Sequence, residues 1–120
     1  MVIAVTARGV DLGAAVDPRF GRAAAFVVLD TDTGAVRALD NREASLAGQG
    51  AGIQAARLMA EQGIQAVLTG HCGPNAYRVL YAAGVRVYTG VAEGTVREAV
   101  ERFQAGRLHE AAGADVQSHW

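Results

Sequence analysis

Between Ile53 and Phe103 the chain switches repeatedly between a helical hydrophobic period and apolar runs too short to be helices, and this alternation most restricts its possible folds. Ile53, Ala56, Met59 and Ala60 recur at helical spacing, with Gln54, Arg57 and Glu61 on the opposite side, up to a stop near Gly63. Ala66-Val67-Leu68-Thr69 reads as a strand. Pro74 to Ala83 reads as a helix with Ala76, Leu80 and Ala83 on one face, and Val85-Arg86-Val87-Tyr88 as another strand beyond a helix stop at Gly84. Thr95-Val96-Arg97-Glu98 has capping-box spacing at the start of a last helix, whose apolar side is Val96, Val100 and Phe103 and whose end is Gly106. Strands separated by helices pair in parallel through crossovers, which are right-handed in nearly all cases, so this half of the chain specifies an α/β sheet.

The first half follows another rule. Val2-Ile3-Ala4-Val5 has the composition of a buried strand and leads into a glycine-bearing loop from Thr6 to Gly21. Ala25 to Asp30 is a second strand, Thr31-Asp32-Thr33-Gly34 has turn chemistry, and Val36 to Asp40 alternates apolar with polar residues. Residues 25–40 therefore predict an antiparallel hairpin whose second strand lies half exposed at a sheet edge. With a loop from Asn41 to Gly50, the order β-β-β-α-β-α-β-α predicts a mixed five-stranded α/β sheet. In such sheets ligands collect at the carboxyl ends of the strands, here Thr6 to Gly13, Gly70 to Pro74 and Thr89 to Gly94.

A chain of 120 residues is long enough for one core without disulfide staples, and its single cysteine permits no internal bridge. Residues 1–106 are expected to form a single domain, and 107–120 a tail of small and polar residues without periodicity. A net charge of -1 with scattered arginines leaves no basic stripe, which argues against nucleic acid as a partner. With neither a charged leader nor an apolar run that spans a bilayer, the expectation is a cytoplasmic protein without a membrane partner. Lysine is absent, which a codon bias toward arginine explains as readily as function does.

The middle loop, Thr69-Gly70-His71-Cys72-Gly73-Pro74-Asn75-Ala76, sets the only cysteine beside a histidine where a helix begins with proline. The first N–H groups of a helix have no internal partner and carry partial positive charge, so the turn suits an anion or an anionic metal cluster. Two structural alternatives stand beside that reading: Cys72 as a small buried hydrophobe, and His71 as a group satisfying a loop carbonyl. Gly48-Gln49-Gly50-Ala51-Gly52 lacks the Lys-Ser/Thr of a phosphate loop and follows no strand directly. The absence of a Cys-x-x-Cys pair speaks against a thiol oxidoreductase.

Five segments in order resemble the dinitrogenase iron-molybdenum cofactor biosynthesis family: Asp17-Pro18-Arg19-Phe20-Gly21-Arg22, Gly50-Ala51-Gly52-Ile53-Gln54-Ala55-Ala56, Thr69 to Ala76, Gly94-Thr95-Val96-Arg97-Glu98-Ala99 and Ser118-His119-Trp120. The resemblance runs nearly end to end. It implies an RNase H-like three-layer fold and a non-enzymatic role in binding, storing, carrying or assembling a metal-sulfur cluster, as in nitrogenase cofactor carriers and the orange protein of sulfate reducers. The implied cofactor contains molybdenum with copper or iron, and the implied partner protein is a cofactor-assembly protein or ATPase. A sulfide-bridged cluster is a bulky polyanion with soft faces, so a noncovalent site needs N–H donors, cationic forks and apolar walls. The candidates are Arg19, Phe20, Arg22, Gly70, His71, Cys72, Gly73 and Asn75, with the Ala76 amide beside them and His71 and Cys72 as metal ligands. Arg19, following Asp17, has a structural alternative in bracing its own loop. A folded-back tail carrying His119 is a further candidate, whereas His109 reads as a surface residue.

Two other functions fit the same fold. One is a metal-free regulatory or protein-interaction module of the same fold. The other is a metal-dependent nuclease, which needs converging carboxylates that Asp11, Asp17 and Asp30 do not announce.

Overall fold

The computed structural model describes residues 1–46 and 50–112 of the chain. The elements are β1 (Val2–Ala7), β2 (Ala25–Asp30), β3 (Val36–Asp40), α1 (Arg42–Ser45), α2 (Ala51–Glu61), β4 (Ala66–Leu68), α3 (Pro74–Ala82), β5 (Arg86–Thr89), α4 (Val96–Gln104) and β6 (His109–Glu110). They form one mixed α/β sheet in the order β3-β2-β1-β4-β5-β6. β2 runs antiparallel to β1 and β3, β1, β4 and β5 are mutually parallel, and β6 returns antiparallel to β5. The predicted hairpin is present, and β3 lies at an edge with most of its residues exposed.

Side chains alternate across the central strand and so build a core on each face of the sheet. Ala4 of β1 joins Phe26, Val28, Val67 and Val87 under α2 and α3. Ile3 and Val5 join Val27, Ala66 and Leu68 under Val96, Ala99 and Val100 of α4. The short β4 is buried throughout, which is why it reads as an unbroken apolar run. Among the described residues no helix is long and apolar enough to cross a membrane.

Among the described residues the sheet has six strands rather than the five expected. The extra strand is His109–Glu110, inside the segment read as a tail: Tyr88 pairs with Glu110 and Thr89 with His109, and the Ala111 N–H donates to the Val87 carbonyl at 2.7 Å. Two residues are too few to carry a hydrophobic period, so tertiary pairing alone creates this strand. The Asn41 to Gly50 loop also holds an unexpected helical turn, α1, started by the Asp40 carboxylate accepting from the Arg42 N–H at 2.9 Å.

On α2 the buried face is Ala51, Gly52, Ala55, Ala56 and Met59, whereas Ile53 is half-buried and Ala60 exposed. Small residues carry this face because α3 packs close: a Cβ on Gly52 would sit 3.2 Å from the Ala76 Cβ. On α3, Ala76 and Leu80 are buried, but Ala83 has become the exposed C-cap residue. The capping box of α4 forms as predicted, Thr95 Oγ1 accepting from the Glu98 N–H at 3.2 Å and Glu98 Oε1 accepting from the Thr95 N–H at 2.9 Å.

Candidate functional site

The carboxyl ends of β1, β4 and β5 deliver three loops to one edge of the sheet, where backbone hydrogen bonds join them. The Gly90 N–H donates to the Gly70 carbonyl at 3.1 Å, and the Val91 N–H to the Thr69 carbonyl at 3.0 Å. On the other side of the middle loop, the His71 N–H donates to the Pro18 carbonyl at 2.7 Å and the Phe20 N–H to the His71 carbonyl at 3.2 Å. Arg19 and His71 are therefore partners in an isolated parallel bridge, and partners in a bridge project to the same side. The middle turn lies between the Pro18–Phe20 segment and Gly90.

Glycines permit this approach. A Cβ on Gly70 would lie 2.6 Å from the Pro18 Cβ and 2.7 Å from the Pro18 carbonyl oxygen, and one on Gly21 would lie 2.7 Å from the backbone of Gly52. The loop from residue 17 to 22 is thus pressed against both the His71 turn and the start of α2. Because α2 enters β4 and α3 leaves it, both helices begin at this same edge. Among the described residues neither has a side-chain cap: Gly50 occupies the N-cap of α2, and Gly73 that of α3 with proline in its first turn. The α3 ladder begins with the Tyr77 N–H donating to the Gly73 carbonyl at 2.9 Å, so the amides of Asn75 and Ala76 precede it.

The candidate residues divide by depth. Arg19 is exposed, and His71, Asn75 and Arg22 are partly so. Phe20 is fully buried against Phe26, with ring centroids 5.5 Å apart, and Cys72 is 1 % exposed within the same core cluster. Gly70 and Gly73 are buried as well. Cys72 Sγ is 3.7 Å from the Gly73 carbonyl oxygen. Arg22 extends toward the neighbouring segment, its Nη1 donating to the Ser45 carbonyl at 3.1 Å. His119 and Trp120 lie outside the described residues. Among the described residues no group of three or more His, Cys, Asp and Glu side chains is arranged to hold a metal ion.

Two residues that the sequence reading did not place in the site support its framework. Asp17, almost wholly buried, braces Arg19, accepting from its backbone N–H at 3.0 Å and from Nε at 3.4 Å; the Asp-x-Arg spacing is the signal for this bond. Asn41, 1 % exposed, donates from Nδ2 to the carbonyls of Ala23 at 2.9 Å and Gly21 at 3.4 Å, while its Oδ1 has no hydrogen-bond partner among the described residues. No sequence pattern announces Asn41, because its partners are backbone carbonyls far away along the chain.

Comparison with known proteins agrees with this architecture. A family model described as dinitrogenase iron-molybdenum cofactor matches residues 1–106. The structure of the apo form of the orange protein from Desulfovibrio gigas superposes with a TM-score of 0.93 at 47% sequence identity, covering 96% of each chain. A NifB-like protein from Thermotoga, solved by NMR, gives a TM-score of 0.82 at 34% identity, covering 96% of this chain and 97% of its own. An uncharacterized protein of Methanocaldococcus jannaschii is 27% identical over 95 residues, covering 78% of this chain and 80% of the relative.

Proposed function

The chain belongs to the dinitrogenase iron-molybdenum cofactor family, and we propose that it binds a metal-sulfur cluster noncovalently as cargo and carries, stores or hands it on in cofactor assembly. The observation that carries this reading is the convergence of the Arg19–His71 bridge with the uncapped starts of α2 and α3 on one edge of the sheet. Partial positive charge from two helix starts and the fixed charge of Arg19 make that edge favourable for an anion. The iron-molybdenum cofactor in the family's description, with the cargo that the family resemblance implies, favours a soft, sulfide-bearing cluster, molybdenum with copper or iron, over a simple oxyanion.

The donor set fits such a cargo when its roles are divided by depth. Arg19, His71 and the amides of Asn75 and Ala76 meet the cluster, with Arg22 at the rim. Phe20, Gly70, Cys72 and Gly73 pack the loops from beneath. An imidazole suits contact with a soft metal face, and so does a thiolate. Direct ligation by Cys72 requires the His71–Gly73 turn to open, because the thiol is 1 % exposed. Residues 1–106 constitute the cluster-binding domain, which works in the cytoplasm with a cofactor-assembly protein or ATPase and without catalysis of its own. The order β3-β2-β1-β4-β5, with β2 reversed, supports the RNase H-like assignment.

The test is anaerobic titration with tetrathiomolybdate and copper, and separately with isolated iron-molybdenum cofactor, followed by gel filtration, visible absorption and elemental analysis. Retention of a stoichiometric cluster that is weakened on the order of tenfold by Arg19→Gln or His71→Ala, with unchanged circular dichroism, supports the reading. Failure of the native protein to retain either cluster overturns it in favour of a metal-free interaction module.

A further inference from the structure

Behind the exposed guanidinium of Arg19 lies the carboxylate of Asp17, a buried charged group that the proposed cargo contacts do not use. Its backbone is tied to the sheet: the Asp17 N–H donates to the Thr6 carbonyl at 2.9 Å, and Thr6 Oγ1 donates to the Asp17 carbonyl at 2.6 Å. Thr6 Oγ1 also lies 3.0 Å from Thr69 Oγ1, so Asp17 is moored where β1 and β4 end. From there Oδ1 takes both the Arg19 backbone N–H at 3.0 Å and Nε at 3.4 Å.

This arrangement has a directional consequence. A guanidinium carries five N–H donors in a planar fork, one on Nε and two on each Nη. Because the carboxylate holds the Nε edge, the Nη edge is turned away from it, and the Arg19 side chain is 47% exposed against 5% for Asp17. The bridge to His71 fixes the backbone from which that side chain leaves. A flexible surface arginine must be ordered when it meets an anion, whereas one already held loses less freedom on binding.

We propose that Asp17 is a positioning residue, which aims the Nη fork of Arg19 at an anionic cargo and keeps it aimed before the cargo arrives; this rests on the anion-carrier reading above. The carboxylate acts through the arginine and touches no ligand. Its buried charge beside an anion site is tolerated because Arg19 compensates it.

The experiment is a double-mutant cycle, with tetrathiomolybdate alone as the anaerobic probe and visible absorption as the readout. Asp17→Ala is expected to weaken binding by about tenfold, a loss typical of removing a group that orients a direct contact. Arg19→Gln is expected to weaken it similarly, and the double variant no further than Arg19→Gln alone. Asp17→Asn keeps an acceptor oxygen and is expected to hold affinity within about threefold of native. It also guards against misfolding of the alanine variant, which urea unfolding monitors. Native affinity in a folded Asp17→Ala protein, or fully additive losses in the cycle, overturns the proposal.

An NMR measurement on ligand-free protein separates this inference from the function on which it rests. The Arg19 Nε–H resonance should be slow to exchange in the native and Asp17→Asn proteins and fast in Asp17→Ala. If native protein fails to bind the probe, the aiming role falls, even where the resonance is protected; the carrier reading falls with it only when neither cluster of the titration above is retained. If the resonance is unprotected in native protein that does bind, only the aiming role falls.

Discussion

Arg19 and His71, which are far apart in the sequence, are partners in a two-bond parallel bridge, with the His71 N–H donating to the Pro18 carbonyl at 2.7 Å and the Phe20 N–H to the His71 carbonyl at 3.2 Å. This pairing turns two separate loops into one surface. It puts a fixed cation and an imidazole on one side of the same short ladder, next to the start of α3. Neither loop by itself brings these two side chains together; the bridge does.

The bridge depends on Gly70. Its Cβ would fall 2.6 Å from the Pro18 Cβ and 2.7 Å from the Pro18 Cα, so Gly70→Ala must displace backbone rather than a flexible side-chain end. We expect a loss of about 1–3 kcal/mol of stability by urea unfolding, the usual range for overpacking a tight contact. Amide shifts between the native and variant proteins should concentrate at residues 17–20 and 70–73. Unchanged stability would mean that the loops are further apart than described.

The thiol of Cys72 is closed off. At 1 % exposure among Phe20, Ala76 and Leu80, it should react with Ellman's reagent on the order of a hundredfold more slowly in native protein than in denaturant, since reaction requires local opening. Cluster loading that is fast compared with this reaction would assign the cargo to His71 and the arginine rather than to the thiol. Loading that matches the thiol's opening rate would assign it to Cys72 as well.

Thr95 closes the capping box that starts α4, and among the described residues α4 alone supplies the helix on its face of the sheet. Thr95→Ala removes the acceptor for the Glu98 N–H and should cost about 1 kcal/mol in chemical denaturation, while Thr95→Ser should cost much less. Equal losses for the two variants would indicate that the methyl group, not the hydroxyl, is what matters.

Acid should protonate two carboxylates that are held below their ordinary range. The Arg42 side chain, and then its backbone N–H, hold Asp40 down from 3.8 to about 2, and the Thr95 backbone N–H, then its hydroxyl, lowers Glu98 below its usual 4.5. A depressed carboxylate contributes stability that is complete above its unfolded value and is lost as pH falls through its folded value. For Asp40 that window runs from 3.8 down to about 2. Both groups are exposed, so the effect is small. The Tm of native protein should fall more across this window than that of Asp40→Asn; parallel curves would show that the Asp40–Arg42 pair contributes nothing.

Much of the fold was legible because the hydrophobic period changes cleanly. The β2–β3 hairpin, the buried β4, α3 and the α4 capping box follow from local pattern and turn chemistry. The three loops at the sheet edge follow from strand order. β6 and α1 were not legible, since a two-residue strand and a four-residue helix have no measurable period and exist through Val87, Asp40 and Asn41. On α2 the period finds Ala56 and Met59 but overweights Ile53 and Ala60, because close approach to α3 selects the small residues Ala51, Gly52 and Ala55 for the buried face.

The sequence by itself determined a mixed α/β sheet with a histidine, a cysteine and glycines on the loop after β4, and arginines on the loop after β1. These follow from nearest-neighbour chemistry, which a linear pattern records. Tertiary structure decided which of those side chains face outward. It buried Phe20 and Cys72, exposed Arg19, set Asp17 behind Arg19 and Asn41 behind Gly21. Depth and direction depend on contacts between segments distant in the chain, made where a missing Cβ lets two backbones meet.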